Sequence, residues 1–202
     1  MLKSILHRNP SVNCLASNCD VDYHCSMKEI THRPRVFIAG PPCSGKTGSG
    51  RHLAVLLHVP FIDLDERIQA SAGMSVPEIF GRMGECGFRR LETLELEAVA
   101  SMEGGFVTAL GGGCLLSERN MRLVTASGIL LSLTAEEEVL VERWMGQKGE
   151  RPLSLTEPAF RKLLRRRGTH YSSMPMQVDT SSISPEETAR LLMDLVMDGK
   201  GD

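Results

Sequence analysis

The stretch RVFIAGPPCSGKT, residues 35–47, constrains what this chain can fold into more than any other segment. A short apolar run ends directly in glycine, residues 40–47 fit G-x-x-x-x-G-K-[ST] at every fixed position, and helical periodicity follows over 46–58. A turn of this kind points successive backbone N–H groups inward, and the helix N-terminus behind it adds partial positive charge. The pattern predicts a phosphate cradle made of Gly40, Pro41, Pro42, Cys43, Ser44, Gly45, Lys46 and Thr47. In it Lys46 reaches the β- and γ-phosphates of a nucleotide and the Thr47 hydroxyl ligates Mg2+. Pro41 and Pro42 stiffen the loop and leave the later amide donors in place.

The remaining elements follow from period and punctuation. VPFIDLD reads as a second strand, GFVTAL stopping at Gly111–Gly113 as a third, and GILLSL at 128–133 as a fourth. Between them lie a helix started by Ser75, with Glu78 completing an S-x-x-E capping box, and a long segment over 85–102 with apolar residues at Phe88, Leu91, Leu94 and Val99. Thr134 is placed to cap a further helix whose first turn holds Glu136, Glu137 and Glu138, and 185–197 reads as a helix docked through Leu191, Leu192, Leu195 and Val196. Strands alternating with helices predict an α/β fold with a parallel sheet covered on both faces. Ligands of such sheets sit beyond the C-terminal strand ends, where the unusual residues of this chain fall.

With 202 residues, one domain is sufficient to bury a full core, and residues 1–34, which lack any sustained period, are expected to form a poorly ordered extension ahead of a domain over 35–202. The net charge of −2 removes any bulk electrostatic case for nucleic acid or an anionic membrane, and no apolar run is long enough to span a bilayer. The N-terminus carries no secretory apolar region, so the cytoplasm is the expected location and six cysteines are not a disulfide framework. Cys14, Cys19 and Cys25 do not have the C-x2-C spacing of a zinc site, and no histidine has a second ligand four residues on.

Four constellations carry candidate chemistry. Asp63 and Asp65, two apart on a strand, share a face at the mouth of the crevice, Asp63 suited to Mg2+ or its water and Asp65 to a hydroxyl of a second substrate. In ECGFRRLE, Glu85, Arg89 and Glu92 share a helix face and can order one another. Gly112 and Gly113, just after a strand, allow a ligand to approach main chain closely. The segment around Gly146 and Gly149, with Arg143, Lys148 and Arg151, has the composition of a mobile lid over about 144–157. Trp144 covers either the apolar root of that lid or an adenine ring, and Arg165 and Arg166 read as solvated charge.

Together, GPPCSGKT, FIDLDERI, GMSVPEIFGRMGECGFRRLE, VTALGGG, GERPL and RRRGTHY followed by VDT resemble the shikimate kinase family over about residues 35–195. The resemblance implies a P-loop NTPase-type three-layer sandwich with a five-stranded parallel sheet and a mobile lid, in a cytoplasmic monomer. It implies transfer of the γ-phosphate of ATP, with Mg2+, to the 3-hydroxyl of shikimate on the route to chorismate. By motif position it makes Asp65 the binder of the acceptor hydroxyl and a candidate base, with Lys46 and Arg151 completing the catalytic set. Asp63 becomes the metal-side acid. Arg89 and Arg167 become the clamp on the shikimate carboxylate, Glu92 the acid that orders Arg89, and Gly112 and Gly113 contacts to the ring hydroxyls. Arg143 resembles a nucleotide-side arginine. The chain departs from the family pattern at Gly48, where a second hydroxyl is usual, and at Arg167-Gly-Thr-His-Tyr171, where many members have R-x-P-x-Y. Two alternatives remain on the residues alone: another P-loop small-molecule kinase of gluconate or nucleoside type, and a noncatalytic nucleotide-binding domain.

Overall fold

The computed structural model describes residues 33–146 and 156–198. Apart from Arg33 and Pro34, the expected N-terminal extension lies outside the described residues, as does most of the expected lid, including Arg151.

Five parallel strands form one sheet in the order β2-β3-β1-β4-β5, with β1 Arg35–Ala39, β2 Phe61–Asp63, β3 Phe106–Ala109, β4 Ile129–Thr134 and β5 Gln177–Asp179. Strand alternation divides β1 between two cores: Phe37 and Ala39 face one, Val36 and Ile38 the other. The first is closed by α2 (Leu64–Ala72), α3 (Val76–Ala100) and α4 (Glu118–Ser127), the second by α1 (Lys46–Leu56) and α7 (Pro185–Asp198). Because both faces are covered, the strands read as continuous apolar runs. Strand β1 lies between β3 and β4, so the loop leaving it opens at the point where the strand order reverses, the usual ligand crevice of such sheets.

Three boundaries differ from expectation for identifiable reasons. Strand β2 ends at Asp63, because the Asp63 carboxylate accepts from the amides of Asp65 and Glu66 and so caps α2; Asp65 lies in the first turn of that helix and not on the strand. Thr134 stays in β4, and α5 begins at Glu137 and ends at Gly146, placing Trp144 on a helix. The two helical segments expected on either side of Gly84 run together as α3, broken there by a residue at φ 67°, ψ −176° that glycine adopts without strain. The capping box of Ser75 and Glu78 forms as expected. Leu191, expected in the docked face of the last helix, is instead exposed, as is Leu94 of α3.

A smaller cluster joins Cys43 of the loop after β1 to Leu140 and Val141 of α5 and to Phe160 and Leu164 of α6 (Glu157–Ser172). Trp144 stacks on Phe160 with ring centroids 5.0 Å apart, packing α5 against α6, and it also lines the cleft, so both places expected for it adjoin its ring.

Candidate active site

A cleft of about 1070 Å³ opens above the C-terminal ends of β1, β2 and β3. Its floor is the loop after β1. Gly40 at φ 140° has no room for a side chain, since a Cβ would fall 2.4 Å from the Leu133 carbonyl, and Gly45 at φ 91° turns the chain into α1. Cys43 adopts φ 66° in the same loop, an uncommon conformation for a residue with a side chain. Lys46 Nζ donates to the carbonyls of Gly40 and Pro41 at 3.1 and 2.7 Å, which holds its ammonium over the loop. The Thr47 hydroxyl donates to Asp63 Oδ2 at 2.9 Å. A hydroxyl and a carboxylate meeting beside a phosphate cradle supply the hard oxygen donors that Mg2+ takes, and Mg2+ needs few protein ligands when phosphate oxygens provide others.

Arg143 forms the outer wall of this half. Its guanidinium donates to the Thr180 hydroxyl at 3.1 Å, to the Thr180 carbonyl at 2.5 Å and to the Cys43 carbonyl at 3.4 Å. Thr180, buried just after β5, in turn donates toward the carbonyls of Ser44 and Thr134, both at 3.1 Å. Thr180 was given no role from sequence; it is the last residue of the VDT motif, which was the available signal.

The other half holds the acceptor-side candidates. Arg89 Nη1 donates to Glu92 Oε2 at 2.7 Å, while Nη2 lies 3.5 Å from Glu85 Oε1, so the helix-face reading of these three residues holds. Burial works against the Arg89 charge, but Glu92 and Glu85 outweigh it and hold its pKa above the ordinary arginine value. Glu92 is fully buried. Burial and then nearby Asp65 push its carboxyl upward, opposed by Arg89 and Arg167. Arg167 is itself buried on α6. One turn on, the Tyr171 hydroxyl donates to the Gly112 carbonyl and ties α6 to the glycine turn, and burial raises the phenol pKa.

Each of the three glycines after β3 meets a different group. A Cβ on Gly111 would stand 2.8 Å from Glu92 Oε1 and 3.1 Å from Asp65 Oδ1; on Gly112, 3.0 Å from Pro42; on Gly113, 2.5 Å from Arg89 Nη2. The sequence marks the run of three and assigns ligand contact to Gly112 and Gly113; Gly111 has a different part, making room for the two carboxylates to converge.

Asp63, Asp65, Lys46, Thr47, Arg89, Glu92, Gly112, Gly113, Arg143 and Arg167 thus line one cleft, together with Pro42, Cys43, Ser44 and Gly45. Gly40 and Pro41 contribute the carbonyls that hold Lys46. Arg166, read as solvated charge, also faces the cleft, whereas Arg165 pairs with Glu137 at 2.9 Å. Gly48 packs beside Pro185 at ordinary contact distance, so a side chain of hydroxyl size is sterically permitted there.

The family model for shikimate kinase matches residues 42–196. A shikimate kinase from Geobacter sulfurreducens is 38% identical over 80% of this chain and 90% of its own length, and one from Parasynechococcus marenigrum 35% identical over 87% and 92%. Among solved structures, shikimate kinase from Acinetobacter baumannii in complex with shikimate superposes with a TM-score of 0.77 at 31% identity, covering 84% of this chain and 96% of that one.

Proposed function

The chain belongs to the shikimate kinase family, and we propose that its cleft transfers the γ-phosphoryl group of ATP to the 3-hydroxyl of shikimate, giving shikimate 3-phosphate and ADP. The observation that carries the reading is the shared cleft. Asp65 and the Arg89–Glu92 pair face the same space as the Lys46 loop, so a carboxylated alcohol and a triphosphate can meet there.

Phosphoryl transfer spreads negative charge over the equatorial oxygens, and catalysis is mostly positioning and charge stabilisation. The loop amides from Cys43 to Thr47 and the Lys46 ammonium cradle the phosphates. Thr47 and Asp63 are the residues that would hold Mg2+, which when bound would neutralise charge on the phosphate oxygens. Arg143 serves the nucleotide side. Arg151, outside the described residues, is assigned by its R-P-L motif to meet the transferred phosphoryl.

On the acceptor side, Arg89 and Arg167 clamp the substrate carboxylate, because forked guanidinium donors match its two oxygens. Glu92 holds Arg89 in that orientation, Gly112 and Gly113 admit the ring to main-chain contact, and Asp65 binds the acceptor hydroxyl and takes its proton. Gripping the carboxylate at a distance aligns the hydroxyl with the γ-phosphate. The protein acts on small molecules as a cytoplasmic monomer. Among the described residues, no helix is long and apolar enough to cross a membrane.

The test is coupled ADP release with ATP and Mg2+, run with shikimate, gluconate, a nucleoside or no acceptor. Release stimulated by shikimate alone is the expected result. Stimulation by another acceptor, or ATP binding without acceptor-stimulated release, would reject the assignment.

A further inference from the structure

Behind the acceptor half of the cleft lies a polar chain that the site itself does not use. Asn120, on α4, is buried, and its Nδ2 donates to the Cys114 carbonyl at 3.0 Å, the first residue after the triple glycine. That donation fixes the amide orientation, so Oδ1 faces α3, where it accepts from the Thr93 hydroxyl at 3.0 Å. Thr93 Oγ1 in turn lies 3.1 Å from the carbonyl of Arg89. The single Thr93 hydroxyl proton is thus shared between the Arg89 carbonyl and Asn120 Oδ1, and Asn120 carries the contact on from α3 to the backbone that continues the glycine turn.

We infer that Asn120, acting through Thr93, is a positioning residue that sets the separation between α3 and the Gly111–Gly113 turn and thereby the geometry of the acceptor pocket. The inference rests on the kinase reading above. The pocket has no slack at this seam: a single added carbon on Gly113 would fall 2.5 Å from Arg89 Nη2, and one on Gly111 would fall 2.8 Å from Glu92 Oε1. A shift of a few tenths of an ångström between turn and helix therefore reaches Arg89 and Glu92 directly. General packing would be served by an apolar residue at 120. An amide is more demanding, because in a buried setting each of its groups needs a partner, and here its donor and acceptor are used on two different walls of one pocket. The phosphate loop is held by other groups, Arg143 and Thr180, so loss of the bracket acts on one substrate and not both.

The experiment compares Asn120→Leu, Thr93→Val, Thr93→Ser and the double variant Thr93→Val/Asn120→Leu in steady-state kinetics with each substrate varied in turn, alongside thermal melts. Asn120→Leu is expected to raise the shikimate KM about five- to ten-fold and leave the ATP KM within about two-fold. Thr93→Val raises it in the same direction, Thr93→Ser restores it, and the double variant is no worse than Asn120→Leu alone, because the links act in series. A merely structural role would lower the melting temperature while moving both KM values together or neither; that outcome overturns the inference. Should Asn120→Leu fail to fold, the Thr93→Val and Thr93→Ser pair decides by the same split. Wild-type protein inactive on shikimate would instead defeat the function assigned above, so the two failures are distinguishable.

Discussion

Replacing Gly113 by alanine tests the proposed carboxylate clamp. The backbone tolerates the change, because Gly113 has φ −119°, a conformation open to any residue, and the atoms its Cβ would meet belong to the end of a side chain. That end is the Arg89 guanidinium, with Nη2 at 2.5 Å, Cζ at 3.0 Å and Nη1 at 3.1 Å from the new carbon. To reach an ordinary contact of 3.4 Å, Nη2 must retreat by about 0.9 Å. It cannot do so freely, since Nη1 is held 2.7 Å from the buried Glu92 carboxylate. A displacement near 1 Å in a positioning group costs up to about 100-fold in rate, and loss of one charged hydrogen bond to substrate costs about 1.5–3 kcal/mol, roughly 10- to 150-fold. The expected result is a fall of about 10- to 100-fold in kcat/KM for shikimate, with the ATP KM within about two-fold and the melting temperature nearly unchanged. Gly112→Ala is the contrast. Its Cβ meets Pro42 of the phosphate loop at 3.0 Å, so both KM values should rise. A Gly113→Ala enzyme with wild-type shikimate KM would show that Arg89 does not hold the acceptor from its observed position.

Three further outcomes follow from the same geometry. Thr180→Val removes the hydroxyl that receives Arg143 and bonds the phosphate loop, so the ATP KM should rise about ten-fold while the shikimate KM stays within about two-fold; equal changes in both would refute this division. Asp63→Asn keeps a good helix cap for α2 but removes the anionic donor beside Thr47, so the melting temperature should hold while half-saturating Mg2+ rises about ten-fold; unaltered Mg2+ dependence would remove Asp63 from the metal. Arg35→Met takes away the guanidinium that donates to the carbonyls of Ala100, Met102 and Gly104 at the end of α3. Calorimetry should show a loss of about 1.5–3 kcal/mol, about 3–12 °C in melting temperature, with both KM values preserved.

What could be read from the chain was what local pattern encodes. The phosphate loop announces itself because its spacing, the preceding strand and the following helix occupy one short stretch, and the Glu85, Arg89, Glu92 set because a helix brings those offsets together. Asp63 and Asp65 were placed in the right crevice by the wrong geometry. Strand alternation would set both on one face, whereas Asp63 ends the strand by capping α2 and Asp65 enters the cleft from the first turn of that helix. Propensity does not separate these cases, since an aspartate after an apolar run suits either a strand mouth or a helix start. The contacts of Thr180 and Asn120 left no such trace, although Thr180 ends the VDT motif. Thr180 bonds Ser44 across 136 positions of sequence, and Asn120 bonds Thr93 across 27. Pairings of that kind are created by topology and carry no period. The exposed Leu94 and Leu191 reflect the same limit, because a helical face is only as apolar as the surface it meets.

The two halves of the cleft are held by different means, and the triple glycine is where they meet. The phosphate half is fixed mainly by main chain: β1 is paired on both sides, its loop turns on Gly40 and Gly45, and the carbonyls of Gly40, Pro41, Cys43 and Ser44 are engaged by Lys46, Arg143 and Thr180. The acceptor half is fixed by side chains on helices, through Arg89 on Glu92 and Tyr171 on Gly112, with Arg167 buried beside them. A phosphate looks the same in every nucleotide, so a rigid backbone cradle suffices for it, whereas selecting one carboxylated alcohol requires groups set at defined separations. Gly111, Gly112 and Gly113 touch in turn the carboxylates of Asp65 and Glu92, the ring of Pro42 and the guanidinium of Arg89. Three consecutive missing side chains therefore let the Asp65 and Glu92 carboxylates, the phosphate loop and the Arg89 guanidinium approach one segment of main chain, the convergence on which the proposed transfer depends.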